Sequence, residues 1–184
     1  MRIRNLAAAL FGAALLAVPA LAAIKAMTLA ELMAITTDAV HGRIVAKSSF
    51  ALDYPFEGAV YSKLTVEGES LRTGAAVSTD MIFLGSHDPA DDYGTSEMPT
   101  LQDSRPGNEV VVFYARDEQF PGGANVVDNL ASLFRVEQAF GTPVLIGKGE
   151  GTAFAENVRL ADARALIKST HESLQAASGP QDGK

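Results

Sequence analysis

The chain contains no cysteine, and that absence removes several chemistries at once. A disulfide framework, a cysteine nucleophile, a thiolate metal site and a lipid-modified N-terminal cysteine are all excluded. Basic residues are also scarce, with 15 Lys and Arg against 22 Asp and Glu and a formal net charge of −7. Binding to phosphate backbones depends on clustered Lys and Arg, so neither a nucleic acid nor an anionic membrane is expected as a partner. Long uncharged runs are missing too, except for one at the N-terminus.

Met1-Arg2-Ile3-Arg4-Asn5 is a short basic start, Leu6 to Val18 is rich in Ala and Leu, and Pro19-Ala20-Leu21-Ala22 supplies a small-residue exit. The apolar run is about 13 residues, against roughly 20 for a helix that spans a bilayer. Residues 1–22 therefore read as a secretory signal peptide cut after Ala22 rather than an anchor. Loss of Arg2 and Arg4 leaves the remainder more acidic still. That remainder is long enough to bury a core, and 23–177 is expected to form one domain. The polar end, 178–184, is expected to be a disordered tail. The expected location is the periplasm or the outside of the cell, with no membrane contact after cleavage.

Thr28-Leu29-Ala30-Glu31 has the spacing of a capping box, which predicts a short helix from Leu29 to Ile35 with Leu29, Leu32 and Met33 on its packed face. From Thr37 to Ser48 apolar and polar residues alternate, placing Val40, Gly42, Ile44 and Ala46 on the buried side of a strand and His41, Arg43, Val45 and Lys47 on the other. Gly42 suggests a bulge or sharp bend. Val60 to Leu71 is a second strand, with Val60, Leu64 and Val66 facing one way and Tyr61, Lys63, Thr65 and Glu67 the other. Further strands are expected at Ala76–Leu84, Glu109–Tyr114, Ser132–Gln138 and Pro143–Gly147. A closing helix should run from Leu160 to Ala176, with Ala163, Leu166, Ile167, Thr170 and Leu174 along one side. Residues 85–108 and 117–129 read as long loops. The sum is a mainly β (α+β) protein: a small OB-like β-barrel of five to six strands with a short N-terminal helix and a C-terminal helix.

Asp38-Ala39-Val40-His41-Gly42-Arg43-Ile44-Val45 resembles the opening strand of exported bacterial proteins with OB-like barrels, a group of unassigned activity. It is similar in strand pattern to netrin-like domains and tissue inhibitors of metalloproteinases. Tyr61 to Gly74 and Pro106 to Phe113 resemble two further strands of that group. The resemblance implies a fold and carries over no catalytic residue. The metalloproteinase inhibitors act through an N-terminal cysteine, which this chain lacks.

Familiar catalytic patterns are absent. His171-Glu172 has no second histidine at one-turn spacing, so the metallopeptidase motif is missing. Ser86-His87-Asp88 has the residue types of a triad without the distant assembly or the Gly-x-Ser-x-Gly elbow. Gly147-Lys148-Gly149-Glu150-Gly151 lacks the ending of a phosphate loop and reads as a turn. His41 beside Arg43 reads as a solvated residue. No cofactor is expected. The reading is a non-enzymatic exported module whose loops meet a protein or carbohydrate partner, with Tyr93, Tyr114 and Phe120 as aromatic candidates for contact. Two alternatives are a netrin-like peptidase inhibitor or peptidase-associated protein, and an enzyme with an unrecognised site.

Asp88, Asp91, Asp92, Glu97 and Asp103 are candidate oxygen ligands for calcium, although their spacing is irregular and a solvated acidic loop is the simpler reading. A calcium site requires the thermal midpoint to rise with excess millimolar calcium. An unchanged midpoint is the outcome that the irregular spacing predicts, and it removes the site.

Overall fold

The computed structural model describes residues 27–91, 95, 98–127 and 130–178. The expected signal peptide, nearly all of the expected tail, and Asp92, Tyr93 and Glu97 lie outside the described residues. Helix α1 spans Leu29–Ile35 and begins with the expected capping box. The Thr28 hydroxyl accepts from Glu31 N at 3.3 Å, and the Glu31 carboxylate accepts from Thr28 N at 2.8 Å. Leu29, Leu32 and Met33 are buried. At the other end, Arg72 donates to the carbonyls of Met33 and Thr36 at 2.7 and 2.9 Å, satisfying acceptors that a helix leaves free.

Strands β1 (Asp38–Leu52), β2 (Ala59–Ser70) and β3 (Ala76–Leu84) form an antiparallel meander. Strand β4 (Glu109–Asp117) returns along β1, and β5 (Ala124–Val126) joins β4 antiparallel and β3 parallel. The ring β1-β2-β3-β5-β4-β1 is thereby closed, with the strand order of an OB-like barrel. Strands β6 (Leu133–Ala139), β7 (Thr142–Leu145) and β8 (Val158–Arg159) continue outward from β4, and α2 spans Leu160–Ala177. The sequence reading lacks β5 and β8. Each is three residues or fewer and is defined by its neighbours' hydrogen bonds, not by a period of its own.

Three clusters hold these elements together. The barrel interior contains Val40, Ile44, Leu64, Val66, Met81, Phe83, Val110 and Val112. On the outside of β4, Val111 and Phe113 pack with Phe134, Leu145, Ala163 and Ile167 under the two helices. Burying one such large side chain contributes about 2–3 kcal/mol. Leu166 departs from its expected place and is 48% exposed. Ala163 and Ile167 define the packed line of α2, and Leu166 is turned about 100° from Ile167 around the helix. The third cluster lies on the outer face of β2 and β3.

Closure depends on a pair of facing glycines. Gly42 is opposite Gly68, and β1 there pairs with β2 and β4 at once. A Cβ on Gly68 would lie 2.1 Å from the His41 carbonyl oxygen and 2.4 Å from Gly42 Cα, and one on Gly42 would lie 2.4 Å from the Glu67 oxygen. Only two residues without side chains can cross so closely. The register shift itself falls three residues later, between Ile44 and Ala46. That bulge, at Val45, reverses the two faces of the rest of β1. Ala46 is exposed where the alternation predicts burial, and Lys47 turns toward the barrel where it predicts solvent.

Gly68→Ala is expected to lose about 3 kcal/mol in urea unfolding, because the clash is with backbone that cannot swing aside. Gly74→Ala, at φ 72 in open space, should lose about 1 kcal/mol for its left-handed backbone alone. Equal losses for the two variants would contradict the close crossing.

Candidate binding face

The bulge that turns Lys47 inward turns Phe50 outward, where it faces Tyr61 of β2. Their rings stack at 5.7 Å with planes 21° apart. Tyr61 was expected on the solvent side of β2, and it does leave the barrel interior. It is nevertheless 6% exposed, because the β4–β5 loop folds over it. Phe120 on that loop meets Tyr61 edge-on at 5.3 Å and Tyr54 of the β1–β2 loop at 5.5 Å. Ala59 and Ile82 are buried in the same cluster, with Leu84, Ala124 and Val126 packed against it.

Local chemistry explains how the loops hold this shape. In the β4–β5 loop, Asp117 Oδ1 accepts from Gln119 N at 2.8 Å and Phe120 N at 3.2 Å, which fixes the turn that aims Phe120. Gly122 and Gly123 follow with φ of 82 and 68. In the β1–β2 loop, Asp53 Oδ1 accepts from Gly58 N at 2.8 Å, and the Tyr61 hydroxyl donates to the Tyr54 carbonyl across the strand. Phe56, at the tip of this loop, is 47% exposed.

Beside the aromatic nest the same face becomes polar. Lys63 lies 3.1 Å from Asp80, and the Thr65 hydroxyl donates to Asp80 at 2.6 Å. The Thr65 bond holds the Asp80 carboxyl below its ordinary value against the opposing effect of burial, and the contact with Lys63 adds to the lowering. Asn125 of β5 donates to Thr79 at 2.8 Å. An apolar, ring-lined end and a hydrogen-bonding end therefore share one sheet face between two loops.

Phe120 is thus brought to this face as a buried residue, 8% exposed. Tyr114 is partly buried against the barrel interior, near Arg72 and Asp38. Asp103 is 15% exposed and bonds Lys148 at 2.8 Å, with Arg135 at 3.6 Å. Asp88 caps Ala90 N at 2.9 Å, and Asp91 accepts from the Ser86 hydroxyl. Among the described residues, no three His, Asp or Glu side chains gather as a metal site. Lys148, in the glycine-rich turn, is buried against Phe134 and serves this ion pair.

Histidine contacts were the least visible in sequence. His41 is 16% exposed instead of solvated: its Nε2 donates to Glu109 at 2.8 Å, and Arg164 of α2 donates to its Nδ1 at 3.2 Å. Arg164 also pairs with Glu69. The shallow cleft there, about 570 Å³, is lined by these groups and Arg43, all satisfied within the protein. His87 does not meet a serine and an aspartate in a triad. Lys47 donates to its Nδ1 at 2.9 Å and to the buried Ser104 hydroxyl at 3.0 Å. Burial first, then the nearby Lys47 ammonium, hold the His87 ring below its ordinary value, against a raising backbone bond at Pro99.

Comparison with protein families, with curated proteins and with solved structures finds no match to this chain.

The depressed His87 value has a signed consequence. As the pH falls through about 6.5, the unfolded chain takes up this proton before the folded one, so stability present above that point is lost toward pH 5. Thermal melts are expected to show this decline in the native chain and a smaller one in His87→Gln, which keeps an acceptor for Lys47. Identical slopes for the two proteins would count against the contact.

Proposed function

We propose that the protein is an exported, non-enzymatic binding module that presents the loops of its β-barrel to a protein or carbohydrate partner. The observation that supports this most is the nest of Phe50, Tyr54, Tyr61 and Phe120, placed between the β1–β2 and β4–β5 loops on the outer face of β2 and β3. OB barrels bind oligomeric ligands on that face and with those two loops. Tyr61 and Phe120 form the buried floor of this nest, and the half-buried Phe50 and Tyr54 with the exposed Phe56, beside hydrogen-bonding groups, suit a sugar ring or an extended peptide with apolar side chains. The net charge of −7 argues against a polyanionic ligand. Export rests on the composition of residues 1–22, and kinship with netrin-like domains rests on the three strand motifs alone. The peptidase-inhibitor reading has only that kinship behind it.

The chain has four tyrosines and no tryptophan, so its intrinsic emission reports largely on rings of this kind. Titration with neutral oligosaccharides and with aromatic-containing extended peptides should change that emission for one class. Phe56→Ala, at a position 47% exposed, should weaken binding about tenfold while the chain remains folded by circular dichroism. Silence across both classes, or binding indifferent to Phe56→Ala, would reject this face.

A further inference from the structure

The β6–β7 hairpin carries a different apolar feature, far in sequence from the loops of the binding face. Its two-residue turn is Phe140-Gly141, flanked by the pair Ala139 and Thr142. Both turn residues have positive φ, 52 and 78, the geometry of a type I′ turn. Asn or Gly commonly takes the first of these positions, whereas a bulky ring pays a steric penalty there. Phe140 is also fully exposed. The residue is thus unfavourable in backbone and in solvation, and it contributes nothing to this chain's own core.

A cleft of about 580 Å³ opens beside the same hairpin, lined by Thr142, Pro143, Leu160 and Ala161 with Arg159, Asp162 and Arg164. Pro143 is three residues from Phe140, so the ring and the cleft are separated by about 10 Å along the strand. A patch that holds both a projecting anchor and a cavity is complementary to itself under a two-fold axis. We propose that this face is a self-association surface, in which Phe140 of each copy enters the Pro143–Leu160–Ala161 cleft of a second copy of the chain.

Charge supports that occupant over others. Glu137 on the hairpin pairs with Arg135 at 2.8 Å and keeps a side chain 49% exposed, and Arg159 on the cleft rim pairs with Asp162 at 2.6 Å and keeps one 69% exposed, so a two-fold arrangement lets the two pairs join in one network of alternating charge. A lipid surface fits poorly, because the segment from Val136 to Leu145 has no Lys or Arg and the chain is strongly acidic. The outer edge of β7 is also incomplete. Strand β8 covers it only at Val144 and Leu145, leaving Thr142 and Pro143 without a strand partner on that side.

Sedimentation equilibrium of the purified protein from about 1 µM to about 500 µM should show a dimer whose fraction rises with concentration. Phe140→Asn suits the left-handed turn, so its melting midpoint should match or exceed the native one while dimerisation weakens at least about tenfold. Ala161→Glu lies at an exposed position in the first turn of α2, where an acid is tolerated. It should weaken dimerisation similarly by filling the cleft and facing the partner copy's acidic hairpin. A monomer across the whole range overturns the proposal, as does a Phe140→Asn protein that associates as the native one does.

Discussion

The crossing of β1 over β2 at Gly42 and Gly68 is the constraint on which the fold rests. Hydrogen bonds alone would hold β1 against β2 in a flat hairpin, but the ring closes only if β1 also reaches β4. That demands a bend sharper than two opposed side chains permit. Closure then creates an interior for Val40, Leu64 and Met81 and an exterior with two different uses. On one side the outer surface is sealed by α1 and α2. On the other, among the described residues, it is covered by the β1–β2 and β4–β5 loops through Tyr54 and Phe120.

Charged groups secure the parts that the sheet does not hold. Arg72 ties the end of α1 to the β2–β3 turn, and Asp103 ties the long β3–β4 loop to Lys148 and Arg135. Arg164 joins α2 to the barrel through His41 and Glu69. Each is a contact between segments distant in the chain, with the two partners of the Arg164–His41 bond 123 positions apart. Such partly buried pairs add modest stability but define which way a loop or helix is docked. In a chain without disulfides, that orienting role falls to them.

Local patterns were legible in the sequence for the same reason that these pairs were not. The capping box at Thr28 and Glu31, the ends of β3 and the extent of α2 follow from hydrogen bonds and periods within a few residues. Gly42 was readable as a bend, whereas its partner Gly68 was not, since the pairing is set by the register of two strands. The bulge at Val45 left no mark in the alternation, so Lys47 was placed on the wrong face and the outward turn of Phe50 went unseen. Phe120 was recognisable as a loop aromatic. Its burial required knowing that Tyr61 and Tyr54 wait beneath it. Leu166 shows the converse limit, because apolar character on a helix does not decide which of two adjacent lines meets the sheet.

The bulge has a further effect on how this chain can vary. Between Gly42 and the β1–β2 loop, the strand is two segments of opposite parity joined by one extra residue. Removing Val45 itself would straighten the strand and leave Phe50 opposite Tyr61 on the outer face, whereas removing one residue beyond it would return Phe50 to the inner side of the hairpin and dismantle the aromatic nest. Loss of two residues beyond it would preserve the parity and shorten only the reach of the arm. Insertions and deletions between the bulge and the loop are therefore filtered by whether their number is odd or even, a stricter rule than the hydrophobicity of the residues themselves would impose.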